Sequence, residues 1–216
     1  MIKNLITLVA LVLSSYIYCQ TDLDFRGDRL MENMWFKTIG KDNLSELEGS
    51  PYFTKDFVAS KISEYPDQVM TRYDMYNDNI EFLKNGKPFI LPKTANYDTI
   101  LLTLTGKKLK LIDTGYYFIV YEGKKYNVFK KIKSKFQPFE KAKNGYTEDK
   151  QAMFYNLPET FFIILNDKLT ALPKNKNSFA SLFPEKEKNI LKVIKKNKIN
   201  LDNEEGLRMI FQYIEN

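Results

Sequence analysis

From Tyr52 to Leu172 the chain is broken at short intervals by residues that favour tight turns, leaving stretches between them too short for an ordinary helix. Residues 68–76 run into Asn77-Asp78-Asn79. Residues 80–83 and 89–91 flank Asn85-Gly86, a dipeptide that suits a two-residue hairpin because both positions tolerate positive φ. Residues 99–105 and 108–112 flank Gly106-Lys107, and 116–121 and 126–133 flank Glu122-Gly123-Lys124. Residues 161–165 and 169–172 are split by Asn166-Asp167-Lys168. These segments predict a mainly antiparallel β-meander over residues 51–173, folded as a curled sheet or partial barrel.

Past Pro173 the apolar period lengthens to that of helices. Ser178 is placed to cap a short turn through Phe183, and Pro184 suits a first helical position. Ile190, Leu191 and Ile194 share one face. Asp202 with Glu205 resembles a capping box that opens a last helix, with Leu207, Ile210, Phe211 and Ile214 on one side. Residues 174–216 are therefore expected as a helical hairpin packed on the sheet, and the whole as an α+β protein. Residues 20–50 form an N-terminal segment whose spacing of Leu30, Met31, Met34 and Trp35 predicts a short helix over 28–39.

Residues 1–19 read as a cleavable signal peptide. Lys3 precedes an apolar core from Leu5 to Leu13, then comes a polar approach to Gln20. That core is too short for a membrane span, which needs about 20 apolar residues, and no later stretch approaches that length. Cleavage is expected between Cys19 and Gln20. The alternative is lipidation of Cys19, the single cysteine. The expected location is the periplasm, the outer membrane or the medium.

The chain has no histidine. Triads and dyads built on an imidazole base are excluded in their usual form, and loss of Cys19 removes thiol nucleophiles and Cys/His zinc sites. Carboxylate chemistry, Ser-Lys pairs and oxygen-ligand metals remain. No cofactor and no metal are expected. Asp74 and Glu81 are the candidate catalytic pair, and Asp78 could join them around calcium, although no glycine-centred calcium loop is present. The competing reading pairs Arg72 with Asp74 and leaves Asn77–Asn79 to make the turn.

Residues 84–143 are rich in lysine, including Lys107, Lys108, Lys110, Lys124, Lys125, Lys130, Lys131, Lys133, Lys135 and Lys141. They suggest either an anionic-surface binder or charged strand edges that resist aggregation. Nucleic acid is not an expected partner, because arginine is scarce and the chain is read as exported. The tyrosines could form a platform for sugar rings or a peptide. Arg72, Tyr73, Tyr76, Asp78, Tyr117 and Tyr121 are the candidate binding residues.

Gly49-Ser50-Pro51-Tyr52 with Phe57, then Arg72-Tyr73-Asp74-Met75-Tyr76-Asn77-Asp78 with Glu81-Phe82, resembles an uncharacterised exported family of flavobacterial-type Bacteroidota. Asp74 stands where that family more often has Asn. The resemblance implies export and an envelope context and brings no assigned activity. The expected function is that of a non-enzymatic envelope or secreted protein that binds a protein or glycan partner or aids assembly. The alternatives are a carboxylate-dependent glycan hydrolase and an anionic-surface binder.

Overall fold

A computed structural model describes residues 47–63, 65, 67–142 and 148–216. The expected signal peptide with Cys19 and the expected helix over 28–39 lie outside the described residues. The strands are β1 (Val58–Ile62), β2 (Gln68–Asp74), β3 (Asn79–Lys84), β4 (Lys87–Ile90), β5 (Thr99–Leu102), β6 (Lys107–Ile112), β7 (Gly115–Glu122), β8 (Asn127–Lys131), β9 (Ser134–Gln137), β10 (Met153–Asn156), β11 (Thr160–Leu165) and β12 (Lys168–Ala171). Three helices follow: α1 (Lys176–Ala180), α2 (Glu187–Lys196) and α3 (Glu204–Glu215). The protein is α+β, with a ten-stranded antiparallel sheet, a two-stranded sheet and a helical C-terminal region.

The large sheet has the order β12-β11-β8-β7-β6-β5-β1-β2-β3-β4. Most neighbours are hairpins closed where the sequence places turns, with positive φ at Asp78, at Asn85 and Gly86, at Gly106, and at Asn166 and Asp167. Two joins are long-range: β1 pairs with β5, and β8 with β11.

The sheet is curled. A flat sheet would hold β7 and β2, four spacings apart, about 19 Å from each other. Instead the Tyr73 ring lies 6.3 Å from that of Tyr116 and 5.8 Å from that of Phe118, both edge-on. Small residues help the closure on the concave side, where Ser60 and Thr71 are buried and share a 2.7 Å hydrogen bond between hydroxyls. The curl stops short of a barrel, since β4 and β12 stay unpaired at the two ends.

Residues 47–57 form a strap along the end of β2, with the Phe53 ring 4.7 Å from that of Phe118. The Phe154 amide of the small β9–β10 sheet donates to the Glu48 carbonyl, and Phe53 N–H donates to Tyr73 O while Met75 N–H donates to Pro51 O. At the other end the helices cover β7, β8 and β11. Val120, Val128, Phe161 and Ile163 form one buried cluster with Phe179, Phe183, Ile190, Ile194, Leu207, Ile210, Phe211 and Ile214.

Both helix starts differ from expectation by a few residues. Asn175, not Ser178, caps α1 through the amides of Asn177 and Ser178. Asn203, not Asp202, caps α3 by accepting from Gly206 N–H, because Asp202 turns outward to Lys174. Pro184 opens a 3-10 turn just before α2. No helix among the described residues is long and apolar enough to cross a membrane.

Candidate functional site

Antiparallel register sets Arg72 on β2 opposite Glu81 on β3. Arg72 Nε donates to Glu81 Oε2 at 2.7 Å, so Glu81 takes the place expected for Asp74. The guanidinium lies 3.6 Å from the centre of the Tyr52 ring and 4.4 Å from that of Phe57, and Tyr52 OH donates to Glu81 Oε1. Asp74, two residues further along β2, closes the turn. Its Oδ1 accepts the amides of Tyr76 and Asn77, and its Oδ2 accepts the Asn77 side chain.

Asp74 is 2% exposed and Glu81 1%. Burial raises the carboxyl pKa of both, working against the Asn77 and Tyr76 bonds in one and the Arg72 charge in the other. Every oxygen of the pair is already bonded within the fold, and neither residue lines the clefts described below. Nor do the three carboxylates gather around one ion: Asp74 holds amides, Glu81 holds Arg72, and Asp78 holds a lysine. The geometry offers no paired acid and base.

Asp78 sits at the tip of the β2–β3 turn with φ of 58°. Its Oδ1 accepts three bonds: from Tyr73 OH at 2.7 Å, Lys131 Nζ at 2.6 Å and the Tyr116 amide at 3.3 Å. Oδ2 accepts none from any described residue. Lys131 also donates to the Tyr116 carbonyl at 2.6 Å, and its ammonium stands 4.7 Å from the centre of the Tyr117 ring. Burial pulls the Lys131 pKa down, opposed by Asp78. Burial also raises the Tyr73 phenol, with the Asp78 charge adding to it.

This network floors a cleft of about 370 Å³ between the β2–β3 and β6–β7 turns. Tyr76, Tyr117 and Phe162 form its aromatic walls, with Lys133, Asp113 and Ser134 around them. Tyr117 and Phe162 meet edge-on at 5.4 Å, and Tyr76, 39% exposed, is braced edge-on by Phe154. A Ser-Lys pair does not form here. Ser134 Oγ donates to the carbonyls of Ser50 and Tyr155, while Lys131 is bonded to Asp78 and Tyr116.

No protein-family model, curated protein or solved structure matches the chain. The geometry of the cleft therefore stands by itself.

A second cleft of about 310 Å³ shares Met75 with the first and lies under the strap, lined by Ser50, Tyr52, Phe53, Phe154 and Glu159 among others. It is the smaller of the two, and its charged residue, Glu159, is paired with Lys130.

Of the expected binding residues, Tyr76, Asp78 and Tyr117 come together at the first cleft, with Tyr73 beneath as a support. Arg72 lies under Tyr52 and Phe57. Tyr121 belongs to the helix dock: its ring packs on Phe211 and its hydroxyl donates to Glu215. Lys108, Lys110, Lys130 and Lys131 are ion-paired, the last two with acids distant in sequence. Gly115 and Asp113 are site residues that sequence reasoning passed over, and Lys131 entered it only as one of the lysine-rich stretch. Lys131 had a signal, as an ammonium inside the run Val128-Phe129-Lys130-Lys131-Ile132 must find an anion. Gly115 had none.

Proposed function

We propose that the chain is an exported, non-enzymatic binding protein of the cell envelope or the secreted fraction, and that the cleft at Asp78 is where it binds. One observation carries the reading. Asp78 is held through Oδ1 by three donors while, among the described residues, Oδ2 and the hydroxyls of the neighbouring Tyr76 and Tyr117 have no hydrogen-bond partner. Small-molecule sites combine apolar or aromatic walls with a few convergent polar groups in this way, in volumes of about 300–1,000 Å³.

Binding is favoured over catalysis because Lys131 and the two carboxylates first considered as an acid–base pair are already engaged. Lys131 is held by Asp78 and a carbonyl, Glu81 by Arg72, and Asp74 by the turn. Export rests on the order of charge, apolar core and polar approach in Met1 to Gln20. The likeness of the Gly49-to-Tyr52 and Arg72-to-Glu81 segments to an exported Bacteroidota family supports the same context.

The test uses the tagged full-length chain recovered from its own host. Mass spectrometry is expected to find it outside the cytoplasm with its N-terminus at Gln20, and an intact Met1 in the cytosol would refute export. Cross-linking in envelope extract is expected to capture a ligand that Gly115→Ala releases and that an exposed control, Leu104→Ser, retains. Equal capture by both variants would place binding elsewhere.

A further inference from the structure

The charges of the cleft narrow its ligand. Its ionisable lining holds two carboxylates, Asp78 and Asp113, and two ammonium groups, Lys131 and Lys133. An anion entering the cleft meets Lys131 already bonded to Asp78 Oδ1 and the Tyr116 carbonyl, with the free Asp78 Oδ2 beside it. A cation meets Lys131 and Lys133. Neither sign gains a net field, so charge complementarity selects against strongly charged ligands of either kind.

An extended peptide is also disfavoured. Peptides that dock on sheets add a strand to an open edge. The cleft lies at the turns joining β2 to β3 and β6 to β7, and each of these four strands already has a neighbour on both sides. The unpaired edges of the large sheet, β4 and β12, are at the far ends of its strand order, and the start of β9 at the cleft is tied down by Ser134 N–H donating to the Met75 carbonyl.

The unbonded groups suit a molecule that both donates and accepts hydrogen bonds and carries apolar faces. Asp78 Oδ2 accepts, the Tyr117 hydroxyl does either, and Lys133 Nζ, which has no ion-pair partner among the described residues, donates. The ring of Tyr76 supplies exposed aromatic surface. Gly115 keeps the approach open: a Cβ there would stand 3.1 Å from Tyr117 Cε2, 3.3 Å from Asp78 Oδ2 and 3.4 Å from the Tyr117 hydroxyl, so the ring or the carboxylate would have to shift.

From these features, and resting on the binding reading above, we infer that the ligand is a neutral saccharide. One sugar ring lies against Tyr76 and Tyr117 and donates a hydroxyl to Asp78 Oδ2. The polar groups converge where aromatic surface is exposed, a combination that polyhydroxylated rings with C–H faces satisfy. The Asp78–Lys131 bond is a positioning element that fixes the carboxylate and does not itself touch the sugar.

The experiment is an array of neutral and acidic oligosaccharides probed with the full chain, followed by calorimetric titration of the best neutral binder. Neutral sugars are expected to be retained with little dependence on salt. Gly115→Ala is expected to weaken binding about tenfold or more by crowding Asp78 Oδ2 and the Tyr117 ring, and Tyr76→Ala by about as much through loss of one aromatic contact. Tyr117→Phe is expected to weaken it about fivefold through one lost hydrogen bond. Gly115 has ordinary negative-φ backbone, so its alanine variant should fold, and an unchanged thermal transition checks this. No neutral sugar retained, or retention that the three variants leave unchanged, overturns the inference. Preference for acidic glycans, or a peptide released by Gly115→Ala, also overturns it while leaving the cleft as a binding site. Loss of Gly115-dependent capture of any kind defeats the broader reading as well.

Discussion

Arg72 is held on four sides, by the Glu81 carboxylate, the rings of Tyr52 and Phe57 and the carbonyl of Lys55. It fastens the strap at residues 47–57 to the curl. Removing it would leave Glu81 buried with only the Tyr52 hydroxyl, and breaking a buried pair in this way costs about 3–5 kcal/mol. Arg72→Ala should lower stability by that amount in urea unfolding. Arg72→Lys should recover little, because a compact ammonium cannot lie flat between two rings and still reach the carboxylate. Gly49 sits at the other end of the strap with φ of 79°, where a Cβ would fall 1.9 Å from the Phe154 carbonyl oxygen. Gly49→Ala combines a left-handed backbone penalty of about 1–2 kcal/mol with that clash. It should detach the strap, seen as faster hydrogen exchange at the Phe154 amide, which otherwise donates to Glu48.

Among the elements, α3 has the most specific anchor. Glu215 near its end accepts the amides of Lys124, Lys125 and Tyr126 and the hydroxyl of Tyr121, all from the β7–β8 hairpin. Desolvation pushes its carboxyl up, but the three amides and the phenol outweigh it and hold the pKa at about 2, against an ordinary 4.5. A folded-state pKa lowered in this way adds stability that is complete above pH 4.5 and disappears as pH falls through about 2. Hydrogen exchange should therefore show α3 loosening across that window in the wild type. In Glu215→Gln that step should be absent, and α3 should be looser already at neutral pH. The start of α3 is equally constrained: a Cβ on Gly206 would stand 1.8 Å from the Asn200 carbonyl oxygen. Gly206→Ala should displace the α2–α3 turn although alanine is the better helix former.

At the scale of the molecule, the helices and the sheet share one apolar cluster, so neither is expected to persist alone. Deleting residues 203–216 would uncover Val120, Val128, Phe161 and Ile163 and remove Leu207, Ile210, Phe211 and Ile214. Each large apolar side chain contributes about 1.5–3 kcal/mol on burial, and four of them together rival the 5–15 kcal/mol net stability typical of a domain. The shortened chain should bind a hydrophobic dye and lose its cooperative thermal transition. A sharp transition with no dye binding would show that the curled sheet stands independently.

What the amino-acid order determined by itself is what depends on neighbours in sequence. The hairpins at Asn85-Gly86 and Asn166-Asp167 follow from backbone positions that tolerate positive φ, and the faces of α2 and α3 follow from helical spacing. The proposal of export, too, rests on a local pattern at the N-terminus. β1 escaped notice because Ser60 occupies a core position in it, and β9 and β10 because they pair across residues 138–152 rather than across a tight turn. Only the tertiary structure decided the curl, the joins β1–β5 and β8–β11, and the partners of the charged groups. Arg72 took Glu81 rather than Asp74 because cross-strand register, not sequence proximity, sets which side chains face each other. The cleft is the same kind of fact. Asp78 meets a lysine 53 residues away because the curl brings the end of β8 against the β2–β3 turn, and burial then requires the two charges to pair.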